Sequence, residues 1–465
     1  MSKIEPYISR TLDRGIVQSV DPLIAPQRSV RLAINFEFEK ILGRAKLRLG
    51  SARIGLAVGA TSILGLYQFI KTAGTKVLLA VTNDTTAKLY SYTTGTWTPR
   101  ITTFTASLKH RFLTFLDTVA VSNGTDASQT SADGTTWVTT GGNLDAANFP
   151  KFVTMVEWQD RIYGFLANSN RLLYSSIPTG GAISWTVGNG YIDIEPDDGG
   201  GAATAVVKIP GYLLIFKERS LKRWNGASTF PDDLVTLGTV SHESVTVARG
   251  SAYFFNQNGI YQTAGDYPTL ISRPVQEFID AIVTLANVTS TNDGDNVYFS
   301  IGTVTVDGVS YTNVVLKYSI LTQVWSALSY PNAQKVWAQY LDTKSYLIFG
   351  NDIGEVIQTG TGTKDGTAVV KYALQTHEIS FASTEQVYNV LLTHTKRAVG
   401  ANVFVRVNGD ENSFEEIGDI RKNTQEFRPL NKRGEKIEVR IAGQGEQVEI
   451  QGITILDAEV TTQYV

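Results

Sequence analysis

From about residue 54 to residue 362 one local pattern of apolar and polar positions recurs. A β-branched and aromatic run ends at an Asn, Asp or Gly turn. A second run follows and often leads, through Thr, Ser or Gly, into a tryptophan. The copies fall at 89–97 (LYSYTTGTW), 129–137 (QTSADGTTW), 172–185 and 221–226 (LKRWNG), with looser ones at 260–265, 316–325 and 355–360. Each has its own preceding strand, as at 77–81 before Asn83-Asp84 and 119–121 before Asn123-Gly124. Such turn pairs supply the positive φ of tight hairpins. Hairpins repeated at roughly 40–50 residues have the period of β-propeller blades. Radial stacking lets each sheet bury its neighbour's face, and the Trp and Tyr residues supply apolar area between blades. Seven copies predict seven blades; six blades plus a strand exchanged between the termini fit the copies as well.

Two segments depart from the pattern. Beyond residue 366, short alternating strands are expected at 368–379, 386–394, 401–407, 414–417, 436–441, 447–450 and 454–456, with turns at Asn408-Gly409-Asp410 and 443–445. Seven such strands predict an antiparallel β-sandwich. Residues 1–53 carry ten Lys and Arg against five Asp and Glu. There 21–26 (DPLIAP) is expected to be extended, because proline fixes its own φ and disfavours helix before it. An alternating strand follows at 33–39 (AINFEFE). The segment reads as an arm that docks on a partner, as the strand closing a ring, or as a strand of its own domain. The one helix-period stretch is 274–285 (PVQEFIDAIVTL). The prediction is all-β: a degenerate propeller over 54–362, then a C-terminal antiparallel β-sandwich over 366–465.

Composition narrows the function classes. Only 18% of the 465 residues are charged and the net charge is −3, so no global positive field points to nucleic acid. With no cysteine, thiolate catalysis, disulfides and Cys-type zinc sites are excluded. The first 21 residues show no apolar leader, and 54–70 is too short and too cut by glycine to span a bilayer, so a soluble chain made in the cytoplasm is expected. No phosphate-loop, nucleophile-elbow or metalloprotease motif occurs. The 360–366 loop reads as a linker. His377 and His394 are candidates for cross-strand neighbours, and the acidic run 193–198 (DIEPDD) for a Ca²⁺ loop against the plainer reading of a solvated connection. Asp117, Asp160, Asp342 and Asp352 are the carboxylates that one end of a ring could bring together as in propeller glycosidases, though their spacing selects no pair. No catalytic residue, cofactor or metal is assigned. Lys217, Arg219, Lys222 and Arg223 in FKERSLKRW alternate along a hairpin and are expected to touch a polyanion such as DNA, through salt-sensitive phosphate contacts.

The stretch 21–53 (DPLIAPQRSVRLAINFEFEKILGRAKLRLGSAR) resembles the N-terminal segment of tailed-bacteriophage tail structural proteins. In these a D-P…L-P…A…N-x-x-F run leads through Gly and basic residues into the first propeller strand. The stretch 212–226 (YLLIFKERSLKRWNG) is similar to their blade hairpin. The usual Pro-Gly after the basic run is replaced here by Leu49-Gly50-Ser51. The resemblance is to tail-nozzle and packaged-DNA-stabilisation proteins, and it implies a homo-oligomeric ring, expected to be a hexamer, in the virion tail. The ring would dock on a portal or adaptor ring, carry tail fibres or spikes, and form a DNA conduit between subunits, with transient non-specific DNA contact and no membrane. Arg28, Arg31, Arg44, Lys46 and Arg48 are the expected docking residues, with Arg44, Lys46 and Arg48 to Glu expected to weaken docking and leave folding intact. The same architecture also suits a carbohydrate-binding or glycoside-active propeller with a sandwich module.

Overall fold

The computed structural model describes residues 7–9, 12–18, 25–26, 28–39, 43–93, 95–195, 198–379, 386–408, 414–422 and 425–460. Seven antiparallel blades follow one another at 63–104, 111–138, 152–193, 203–235, 245–270, 289–329 and 334–359. Their first strands form a ring around a central channel: Ile63–Ile70, Arg111–Phe115, Phe152–Trp158, Ala203–Ile209, Val245–Ala248, Thr289–Asn292 and Gln334–Leu341. The last packs back against the first. Blade 2 has three strands, and an isolated bridge between Thr130 and Val138 stands where a fourth would be.

Strand alternation builds the ring, because successive side chains point to opposite faces. In Lys76–Thr82, Val77, Leu79 and Val81 pack towards blade 2, while Leu78 and Ala80 pack towards blade 7. In Tyr212–Lys217, Leu213 and Ile215 face blade 3, while Leu214 and Phe216 face blade 5. Each interface between neighbouring blades thus has its own apolar cluster, and the cluster between blades 5 and 6 runs on into the sandwich. The tryptophans lie where the pattern puts them. Trp158 and Trp224 meet between blades 3 and 4, their rings 5.6 Å apart. Trp97 packs between blades 1 and 7, and Trp185 between blades 2 and 3.

Closure combines the two blade readings: there are seven blades, and a strand from the N-terminal segment completes the last. Ser51–Arg53 pairs antiparallel with Val356–Thr359 as the fourth strand of blade 7. The rest of that segment is woven into the other sheets. Leu32–Ile34 lies between the outer strand of blade 6, Val324–Ser329, and Ala368–Gln375. From there the sheet runs on through Ile437–Gly445 and Asn402–Val407 to Glu415–Asp419. The opposing sheet of the sandwich has the order Phe36–Glu39, Arg44–Leu47, Glu449–Val460, Gln386–Lys396, Gln425–Gly434, with Tyr7–Ser9 also on Glu449–Val460.

The sandwich therefore contains N-terminal strands that the sequence leaves open as an arm, a closing strand or strands of their own domain, and it contains Gln425–Gly434, which lacks a clean apolar alternation. The strands expected at 447–450 and 454–456 are one strand. The helix expected over 274–285 is reduced to a 3₁₀ turn at Arg273–Val275 and a short helix at Gln276–Asp280, with Val275, Phe278 and Ile279 buried. β-branched Ile282, Val283 and Thr284 follow, residues that lose χ1 freedom in a helix. Residues 21–24, Asp197, Gly409 and Asp410 lie outside the described residues. Among the described residues no helix is long and apolar enough to cross a membrane.

Candidate functional site

A short turn lodges in the channel at the end where the inner strands begin. The 3₁₀ turn His242–Ser244, which leads into blade 5, reaches across the axis. His242 Nδ1 lies 2.8 Å from Thr154 Oγ1 of blade 3. The Glu243 carboxylate pairs with Arg111 of blade 2 at 2.6 Å, and the Glu243 carbonyl accepts from Ser290 Oγ of blade 6 at 2.8 Å. Arg111 Nε donates to the Val153 carbonyl, and Lys109 Nζ donates to the Lys335 carbonyl of blade 7 at 2.7 Å. Beside this plug is a cavity of about 190 Å³, walled by Tyr67, His110, Arg111, His242, Glu243 and Trp337 among others. Gly65 allows blade 1 to approach blade 2 here, since a Cβ would sit 2.9 Å from that of His110.

Burial sets the charges. Burial, with Arg111 adding to it, pushes the His242 imidazole down to about 3, so it is neutral at pH 7. Burial likewise lowers His110 to about 4. For Glu243 burial acts against ionisation, but Arg111 and then Lys109 outweigh it and hold the carboxyl at about 2. Lys109 is lowered to about 8 by burial and by its neighbours Arg111 and Lys335, against the pull of Glu243. The plug thus joins a charged pair to a neutral imidazole. The hydroxyl beside that imidazole, Thr154 Oγ1, is fully buried and also accepts from the Val206 amide. The sequence signal for the plug was slight: six separate stretches contribute, none with a motif.

The expected DNA-contacting lysines are elsewhere, and two of them are buried. Lys217 and Lys222 belong to the face of blade 4 that packs on blade 3, with side chains 0% and 1% exposed. Lys217 Nζ lies 2.5 Å from Asp198 and donates to the Glu195 carbonyl at 3.0 Å; Lys222 Nζ meets Glu195 at 2.8 Å, Asp198 at 3.1 Å, and Asp233. This corrects the DNA-contact reading for both. The acidic loop before blade 4 supplies the counter-charges and shuts them from solvent. Arg223 donates to the Gly265 carbonyl, leaving Arg219 as the exposed member of the four.

The same network bears on Ca²⁺. Glu195, Asp198 and Asp233 converge closely enough to hold a cation, but two ammonium groups already stand among them. Burial acts against ionisation of Asp198, yet the Lys217 and Lys222 contacts and the Gly200 amide hold its carboxyl well below the usual range. Asp198→Asn is expected to destabilise the fold by about 3–5 kcal/mol, the cost of breaking a buried pair. Urea denaturation measures this, and millimolar Ca²⁺ is expected to leave the wild-type midpoint unchanged.

The five expected docking cations are engaged within the chain. Arg48, 2% exposed at its side chain, forms a fork with Asp365 at 2.9 and 2.6 Å. It also donates to Asn35 Oδ1 and to the Leu49 and Ser329 carbonyls, and it lies 4.3 Å from the Tyr330 ring centre. Arg31 pairs with Asp307 at 2.8 Å and reaches Glu438 and Glu277. Arg44 meets Glu449 at 2.9 Å, and Arg28 meets Asp13. Lys46 stands opposite Glu37 and Glu449 in the sheet register. The reading of a free arm is therefore corrected: these cations are held by partners within one body.

The remaining candidates separate. His377 follows a strand of one sandwich sheet and bonds Ser29 Oγ at 3.0 Å, while His394 lies in the opposing sheet. Asp117, Asp160 and Asp342 sit in first-to-second-strand turns of three different blades, and Asp352 in a second-to-third-strand turn, on the other face. Asp117 already accepts from the backbone and hydroxyl of Thr72.

No protein-family profile matches the chain, and no curated protein matches it. Solved structures do. YCF48 bound to D1 peptide aligns at 10% identity over 67% of this chain and 96% of its own, TM-score 0.43. YCF48 from Cyanidioschyzon merolae aligns at 10% identity over 67% and 98%, TM-score 0.41. The extracellular domain of the one-component system BT4673 from B. thetaiotaomicron aligns at 8% identity over 91% of this chain and 64% of its own, TM-score 0.46.

Proposed function

We propose that the chain is a structural subunit of a bacteriophage tail, a ring-forming scaffold whose work is geometric rather than catalytic. The observation that carries this reading concerns the segment with the phage resemblance, 21–53. Its described part places strands in the sandwich, in the sheet shared by blade 6 and the sandwich, and in blade 7. Propeller and sandwich cannot separate without breaking these pairings, a construction suited to bearing load in a virion. The turn lodged in the propeller axis favours a DNA conduit formed between subunits over one through a single propeller. Mass photometry and negative-stain microscopy of the purified protein test the reading. Closed rings, formed alone or on a portal or adaptor ring, are expected. A protein that stays monomeric with those partners, and that releases reducing sugar from a polysaccharide, overturns it.

A further inference from the structure

We propose that the plugged mouth of the propeller channel is a binding site for a small phosphate-type oxyanion. The cavity there, about 190 Å³, has room for a tetrahedral ion and accompanying water. The groups around it are unbalanced in one direction. Arg111 and Glu243, paired with each other, form part of the wall; Lys109 lies just outside the lining, bonded to the Lys335 carbonyl and close enough to feel Arg111, Glu243 and Lys335. Lys109 spends one proton on the Lys335 carbonyl and keeps two donors. In addition, Trp337, one of the lining residues, carries a buried Nε1 donor without a hydrogen-bond partner, while its ring packs on Phe349.

A buried N–H left unpaired costs free energy, and so does a cluster of like charges out of water. An oxyanion relieves both at once: it accepts from Trp337 and Lys109 and screens Lys109 from Arg111 and Lys335. A cation would meet three positive groups, and a purely apolar ligand would leave the indole donor unpaired. Because the plug turn ties blades 2, 3, 5 and 6, an anion seated beside it would stiffen the ring where its inner strands begin. The inference is independent of the virion role, since it rests on the cavity alone.

Calorimetric titration of the full chain with inorganic phosphate at constant ionic strength, with chloride as the control, tests it. Saturable phosphate binding and a rise in melting temperature that chloride does not give are expected. Lys109→Gln and Lys335→Gln should each weaken binding about tenfold or more, the loss of one charged hydrogen bond or close cation. Trp337→Phe, which keeps the ring and removes the N–H, should weaken it by about threefold to tenfold. Lys335 is half-buried, so its variant carries the test if Lys109→Gln does not fold. Competition by a short oligothymidylate would assign the site to a nucleic-acid phosphate, and its absence to the free ion. Equal effects of phosphate and chloride, or unchanged affinity in all three variants, overturn the proposal.

Discussion

Arg48→Glu is expected to lower the midpoint of denaturation sharply and to free blade 7 from its closing strand. The substitution puts a second carboxylate against Asp365 in a site where the native side chain is 2% exposed. It also strips donors from the Asn35 side chain and the Ser329 carbonyl. Breaking a buried pair by changing one partner costs about 3–5 kcal/mol, a large share of the ~5–15 kcal/mol that holds a typical protein folded. A fall of about 10 °C in melting temperature follows from the ~2–4 °C per kcal/mol seen in large domains. Arg48→Lys keeps the charge but loses the two-pronged geometry, so it should fall between. Arg44→Glu, at a more exposed pair, should cost less. Limited proteolysis near residues 49–54 reports whether Ser51–Arg53 has left its sheet. A melting temperature unchanged by Arg48→Glu would mean that the fork does not hold the closure.

Acidification is the second large effect. Three histidines are held neutral in the folded chain: His110 and His377 at about 4, and His242 at about 3. Burial is the main cause in each, joined by Arg111 at His110 and His242 and by Arg31 at His377. An unfolded histidine titrates near 6.5, so between pH 6.5 and 4 the unfolded chain binds more protons than the folded one, and stability falls as pH falls. Each depressed imidazole is worth about 3 kcal/mol when the whole window is crossed, from about 1.4 kcal/mol per pKa unit. Three together reach the magnitude of a typical folding free energy. The chain is therefore expected to be stable at neutral pH and to unfold cooperatively before pH 4. Glu243, held at about 2, adds its own loss only below the range of an ordinary glutamate, near 4.5. Tryptophan fluorescence against pH measures the transition, and His242→Gln should flatten it by about one proton. A melting temperature that stays level from pH 6.5 to 4.5 would refute this account.

The buried lysines show how far local pattern reaches. Lys217 follows Leu213 and Ile215 by steps of two, so alternation alone puts it on the apolar face towards blade 3. Read as a surface hairpin, FKERSLKRW presents its cations to solvent, because lysine is rarely buried without a partner. The partners stood in the sequence as the acidic run just before blade 4. Local pattern does not indicate that the acidic loop folds down onto this face. Arg48 presents the same difficulty over a longer span, since its carboxylate partner lies 317 residues away.

By itself the sequence determined the strand class, the repeat of hairpins along the chain, and the packing of tryptophans between blades, while it left seven blades and six with an exchanged strand both open. These follow from a period of two and from turn residues a few positions apart, both properties of neighbouring residues. Only the tertiary structure decided that Ser51–Arg53 closes blade 7 and that Phe36–Glu39 and Arg44–Leu47 belong to the sandwich. It alone decided that Gln425–Gly434 completes a sheet despite its charges, and that His242 and Glu243 plug the channel. Each of these depends on which distant edge is left unpaired and which cavity is left unfilled, and such vacancies exist only once the ring has formed.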